Sequence, residues 1–475
     1  MAGKSAGDPR CRVQAAGLST RTAAPILGGM KPTAVDEFLQ LLRFPSISTS
    51  PEHRGAVAEC GRWLTAKLAG MGLDAELHPT EGHPIVVARN RHQPGRRTVL
   101  IYGHYDVQPV DPVELWESPP FEPRITGDIV FARGATDNKG QIFAHVCGVE
   151  ETLQRAGDLP VNLIFLIEGE EEVGSSNLEP FLQKHREALR CDVIAVSDTG
   201  MVAPGVPTLT YGLRGVAALE VRVHGPSTDL HSGIFGGAVA NPLTALSRLV
   251  AGLHDDAGRV LIPGFYDAVT PLAPWEREAW GRLPIGDADM QQLTGVPALF
   301  GEAGYTSLER VWGRPTAEVN GIGGGFQGKG TKTVIGREGF AKLTFRLVPE
   351  QKPEAILEAA RADLLRRAPA GVRVEVELGH YGEPYLTDPH SADGQAAQRA
   401  LEKTFGRKTA LIREGGSIPI INTFSRVLGA DTLLLGLALP DCRAHAPNEN
   451  FPLANFEAGI RLNQALLEEL ARGKA

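Results

Sequence analysis

Residues 98–106, Thr-Val-Leu-Ile-Tyr-Gly-His-Tyr-Asp, constrain the fold more than any other stretch of the chain. Val99, Leu100 and Ile101 form an apolar run that breaks at Gly103, as expected of a short strand buried on both faces. Such strands belong to parallel sheets covered by helices, where ligands gather beyond the strands' carboxyl ends. His104 and Asp106 stand at that end, two positions apart, like a metal ligand and the carboxylate that orients it. The spacing alone says little. His185-Arg186-Glu187 and His254-Asp255-Asp256 share it in polar, helix-like sequence and read as solvated surface. What sets His104 apart is the strand before it, together with four similar strand ends or loops elsewhere.

Apolar runs at 85–88, 161–167 and 192–196 repeat the strand pattern, the last two running into Glu168-Gly169-Glu170-Glu171-Glu172 and Ser197-Asp198. Periodic apolar positions predict helices over about 54–72 and from about 139 onward. Strand and helix in alternation describe an α/β fold, a mostly parallel sheet flanked by helices. From about 213 the pattern changes. Residues 216–223, 340–348 and 372–378 alternate apolar and polar, predicting antiparallel strands with one wet face, and helices near 238–254 and 353–368 can cover the other. Between them, 255–335 is rich in Gly and Pro and weakly periodic. Sheet-type sequence resumes after 383, with a helix near 395–405, an apolar run at 432–438 and a final helix near 455–471.

A chain of 475 residues exceeds what one core usually holds. The predicted division is a catalytic domain over 30–212, an inserted α+β domain over 213–380, and the return of the catalytic domain over 381–475. Residues 1–29 carry four basic side chains against one acid, Asp8. They read as a disordered tail, or as sequence ahead of a true start at Met30, in preference to a transit peptide.

The net charge of −8 argues against nucleic acid or an anionic membrane as a partner. The five cysteines are scattered without a CxxC pair, which fits a reducing, cytoplasmic setting and no thiolate zinc site. No apolar run approaches the ~18 residues of a membrane span. Gly323–Gly330 nearly makes a P-loop, but Gly330 replaces the required Ser or Thr. Gly416-Ser417 lies in Gly-Gly-Ser-Ile-Pro, which is not a nucleophile elbow.

Five candidate ligands sit at strand ends or the loops after them: His104, Asp137, Glu171 or Glu172, Asp198 and His445. Imidazole and carboxylate without thiolate suit Zn²⁺, Mn²⁺ or Co²⁺. Two divalent cations are neutralised by three carboxylates and one bridging hydroxide, giving a core that can be buried. One of the adjacent acids Glu171 and Glu172 is then spare to accept the water's proton.

The segments GHYDVQP (103–109), RGATDNKG (133–140), EGEEEVGSSN (168–177), DLHSGIFGG (229–237), FRLVP (345–349), REGGSIP (413–419) and AHAPNE (444–449) occur in order. Together they resemble the dinuclear zinc metallopeptidase family of carnosine dipeptidase, aminoacylase, acetylornithine deacetylase, succinyl-diaminopimelate desuccinylase and glutamate carboxypeptidase. The likeness is strongest to the carnosinase-like dipeptidase branch and runs from about residue 33 to the end. It implies two divalent metal ions per subunit, zinc first, with manganese or cobalt as alternatives. Asp137 would bridge them, with His104 and Asp198 completing one site and Glu172 and His445 the other. Asp106 would support His104, and Glu171 would be the general base that activates the bridging water. The inserted domain would be a lid and dimerisation domain. From it His231 would reach the partner subunit's site in a homodimer and hold the developing oxyanion, a contact of ~2.7–4 kcal/mol. Arg346, Arg413, Gly416, Ser417 and Thr333 would bind the substrate's backbone and terminal carboxylate, for which a planar arginine fork is suited. Asn138 departs from the pattern, since relatives often carry an acid there; small consequences are expected. The implied activity is hydrolysis of dipeptides or short peptides with a free carboxyl terminus. An N-acyl-amino-acid deacylase on the same site, or a non-catalytic binding relative, is the alternative.

Overall fold

The computed structural model describes residues 32–416, 418 and 420–473; the expectations for residues 1–29 and for Ser417 fall outside these. Strand Thr98–His104 is buried from Val99 onward and lies inside a nine-stranded mixed sheet. It pairs in parallel with Asn162–Glu168 on one side and Val193–Val196 on the other. Asp431–Gly436 continues the parallel order beyond Val193–Val196. The carboxyl ends of four central strands therefore open onto one edge. Toward the margins the pairing turns antiparallel, through Ile85–Arg89 and Asp74–His78 on one flank. On the other flank lies Thr208–Leu213, antiparallel to Asp431–Gly436 and Tyr385–Leu386 and parallel to Ala410–Glu414.

Alternating side chains of the central strand enter different cores. Val99 and Ile101 pack with helices Arg54–Gly70, Lys139–Ala156, Ala392–Phe405 and Leu453–Ala471. Leu100 and Tyr102 pack with Leu178–Lys184 and Ile420–Leu428 on the opposite face. Each fully buried aliphatic side chain contributes about 1.5–3 kcal/mol, which is why a continuous apolar run, not an alternating one, specifies this strand.

From Thr208–Leu213 the chain passes directly into Gly215–His224, the first strand of a separate four-stranded antiparallel sheet. Its order is Thr316–Gly324, Glu338–Leu347, Gly215–His224, Arg373–Gly382. Burial alternates along Gly215–His224 and Glu338–Leu347, with helices Pro242–Ala251 and Pro353–Arg366 on the buried side. Tyr385–Leu386 then returns the chain to the large sheet. Part of the weakly periodic region packs elsewhere. Trp280, Leu308 and Trp312 cluster with Tyr211 and Ile412 on the flank of the large sheet.

Candidate metal centre

The predicted ligands converge at the open edge of the parallel strands. His104 is the last residue of its strand, and Asp198 lies two residues beyond Val193–Val196. Glu171 and Glu172 form the 3-10 turn Glu171–Val173 that follows Asn162–Glu168, and Asp137 stands two residues before the helix that starts at Lys139. His445 comes from the loop between Asp431–Gly436 and the last helix.

Among the described residues two groups can hold a metal ion, His104–Asp137–Asp198 and Asp137–Glu172–His445. Asp137 is common to both and turns one oxygen to each. Its Oδ1 lies 3.1 Å from His104 Nε2, and its Oδ2 lies 2.8 Å from His445 Nε2. His104 Nε2 is 3.8 Å from Asp198 Oδ2, and His445 Nε2 is 3.3 Å from Glu172 Oε2.

Buried polar groups hold these ligands in place. His104 Nδ1 lies 3.1 Å from the carbonyl of Asp106 and 3.3 Å from its carboxylate, which fixes Nε2 toward the centre. The Asp106 carboxylate also accepts the backbone N–H groups of Glu171 (3.2 Å) and Glu172 (3.1 Å). One carboxylate thus sets the histidine and the acidic turn together. Asn138, where the resemblance leads to an acid being expected, has a task of its own. Its amide donates to the Ser197 carbonyl (2.6 Å) and to Asp198 Oδ1 (2.7 Å), which an ionised acid could not do. Gln108 donates to Glu172 Oε2 at 2.7 Å.

Glu449 closes the AHAPNE segment without a role assigned to it from the sequence; it is fully buried behind the bridging position. Its carboxylate accepts the N–H groups of Gly134, Thr136 and Asp137 at 2.8, 2.9 and 3.0 Å, and the buried Arg133 guanidinium at 2.8 Å. Its signal in the sequence is its place in that segment, four residues after His445.

The electrostatics call for positive charge. Burial pushes the Glu171 carboxyl well above its usual range; His104 opposes this, while Asp198, Asp137 and Glu172 add to it. Burial raises Glu172 and Asp198 as well. Hydrogen bonds to Asp137 and Glu172 push His445 up to about 10. Burial works against the charge of Asp137, but the two histidine rings close beside it hold it below the usual carboxylate range. For Glu171 to serve as the general base it must be ionised, which requires positive charge between these groups. The donor set fits metal cations: His104 Nε2 and Glu172 Oε1 are buried without a hydrogen-bond partner, and the ligand atoms of each group lie within 4.8 Å of one another. Imidazole and carboxylate oxygen are the donors a borderline divalent ion takes.

The remaining predicted residues lie outside both groups. His231 and Thr333 are brought together: His231 pairs in a short ladder with Val334, and Ser232 N–H donates to the Thr333 carbonyl at 3.0 Å. Both are exposed. Arg346 lines a cavity of about 300 Å³ with Arg214, Arg314 and Glu318. Arg413 pairs with Glu276 and lies 5.5 Å from the Tyr211 ring centre. Gly416 is exposed.

The sequence profile of peptidase family M20/M25/M40 matches residues 100–469. The Cys-Gly metallodipeptidase DUG1 of Candida albicans is 32% identical over 452 residues, covering 91% of this chain and 93% of that protein. The Beta-Ala-His dipeptidase of Homo sapiens is 30% identical, over 92% of this chain and 90% of that protein. Among solved structures, the M20 family metallo-carboxypeptidase Sso-CP2 of Sulfolobus solfataricus superposes with a TM-score of 0.81 at 32% identity, over 93% of this chain and 100% of that one.

Proposed function

The chain belongs to peptidase family M20/M25/M40, and on that premise we propose that it is a metal-dependent dipeptidase acting on dipeptides or short peptides with a free carboxyl terminus. The observation that carries the reading is Asp137, whose two oxygens face His104 and His445 in separate ligand groups. Relatives named as dipeptidases match nearly the whole chain, and the solved relative Sso-CP2 is named a metallo-carboxypeptidase.

In this reading His104 and Asp198 would hold one divalent ion and Glu172 and His445 the other, with Asp137 contributing to both groups. Zinc is the first choice and manganese or cobalt the alternatives, since the donors are nitrogen and oxygen. When bound, the pair supplies acidification of a shared water and polarisation of the scissile carbonyl. Glu171 takes a proton from the attacking water as the C–O bond forms and delivers it to the nitrogen as the C–N bond breaks. Asp106 fixes Glu171 through its backbone N–H. Arg346, with Arg413, Gly416, Ser417 and Thr333, holds the substrate's backbone and carboxylate.

The 213–380 segment serves as lid and dimerisation domain, inserted between 30–212 and 381–475. Its four-stranded sheet, separate from the large one, supports this. His231 acts in the partner subunit's site, a role supported by its exposure, its absence from both ligand groups and the exposed Ile234 and Phe235 beside it. A cytoplasmic location is supported by the free thiols of Cys60, Cys147, Cys191 and Cys442. No helix among the described residues is long and apolar enough to cross a membrane.

Two experiments test the proposal. Metal-loaded protein is incubated with a panel of dipeptides beside N-acetyl and N-succinyl amino acids. Turnover of dipeptides is expected; turnover confined to the acyl compounds makes it a deacylase, and none at all a binding relative. Glu171→Gln is expected to lower kcat by about 10²–10⁴. Mixing it with His231→Ala should restore activity, because one site of the mixed dimer has Glu171 and receives an intact His231. Undiminished cleavage by the first variant, or no recovery on mixing, rejects the corresponding role.

A further inference from the structure

We propose that Glu449 is a positioning residue that sets the metal affinity of the Asp137–Glu172–His445 pocket in preference to its neighbour. The inference rests on the dinuclear reading above.

The physical ground is the way Glu449 ties two ligand-bearing loops together. Its carboxylate gathers three backbone donors of the 133–137 loop, those of Gly134, Thr136 and Asp137, the last at 3.0 Å. Its own carbonyl accepts the Ala132 N–H at 3.1 Å, and the next carbonyl, of Asn450, accepts the Thr136 hydroxyl at 2.6 Å. The same 445–449 loop carries His445. Arg133 completes the knot. Its guanidinium binds Glu449 and the Pro109 carbonyl (2.9 Å) and lies 5.3 Å from the Trp116 ring centre.

The two pockets depend on this clamp unequally. Two of the three ligands of one pocket, Asp137 and His445, sit on the loops it joins. The other pocket takes only Asp137 from it. His104 is fixed by its strand and by Asp106, and Asp198 is fixed by Asn138, the residue after Asp137. Asp137 thus has a second anchor on that side through its buried neighbour.

Glu449→Gln keeps the shape but sets an amide NH₂ against N–H donors. Calorimetric titration with Mn²⁺ and, separately, Zn²⁺ reads both sites, with His445→Ala as the reference for loss of the second pocket. The wild-type chain is expected to bind two ions. Glu449→Gln should retain one at wild-type affinity and bind the other about 10–100-fold more weakly. Glu449→Asp, which keeps the charge on a shorter arm, should fall between them, and it carries the test if the Gln variant does not fold. Equal weakening of both ions, or of neither, overturns the inference while leaving two metals in place. A wild-type chain that binds fewer than two ions overturns the dinuclear reading and the inference with it.

Discussion

His104 and His445 present the same ring nitrogen to opposite oxygens of Asp137, yet they stand on different material. His104 ends a central parallel strand and is fully buried. His445 lies on a loop, with φ at +61° and its side chain 54% exposed. A histidine at a strand end inherits its position from the sheet, since every residue before it is packed on both faces. A histidine on a loop depends on side-chain ties such as Glu449. One half of the centre is therefore held by the core and the other by a hydrogen-bonded clamp, and local stability should differ between them.

The largest effect that can break this comparison is a pair of alanine substitutions measured by urea unfolding in the presence of a chelator. His104→Ala removes a buried ring and leaves the Asp106 carbonyl and carboxylate short of a partner, at a cost of about 3 kcal/mol. His445→Ala removes a half-exposed ring whose ion pairs are screened by solvent, at a cost of about 1 kcal/mol or less. Equal losses from the two would mean that the loop is as firmly built as the strand end.

The same contrast decides what could be read from the sequence. Strand ends were legible because an apolar run that stops at Gly or an acid is a local signal, and it led to His104, Glu171, Glu172 and Asp198. Strands without that signal were not. Thr208–Leu213 is buried throughout but carries Thr208 and Thr210 inward. Thr316–Gly324 is Gly-rich, and Ala410–Glu414 is short and runs into charged Arg413 and Glu414. Asp106 was legible as the partner of His104, since the two are neighbours. Its second task, accepting the Glu171 and Glu172 N–H groups, joins residues 65 and 66 positions apart. Glu449 meets its acceptor duties more than 300 residues away, so only the folded chain reveals them. The margins of the sheet, where pairing is antiparallel, likewise follow from chain crossings that no single run encodes.

The smallest effect sharpens the comparison from behind the buried pocket. His145 lies between Ser197 Oγ (2.8 Å) and Asn463 (3.0 Å), so it braces the residue next to Asp198. Burial pushes its pKa down to about 4 from the ordinary 6.5. The folded protein therefore holds it neutral while the unfolded chain takes up a proton below pH 6.5. Its contribution is fully present above the unfolded value and is lost as pH falls toward the folded one, because the unfolded state binds more protons throughout that window. Between pH 7 and pH 5 the loss is about 2 kcal/mol. His145→Gln keeps a donor and an acceptor in the same place but does not titrate. Urea unfolding of both proteins at the two pH values cancels every other group, and the wild-type chain should lose about 2 kcal/mol more than the variant. An identical pH dependence in the two would mean that the imidazole is protonated in place, and that the wall behind Asp198 is as open to solvent as the loop that carries His445.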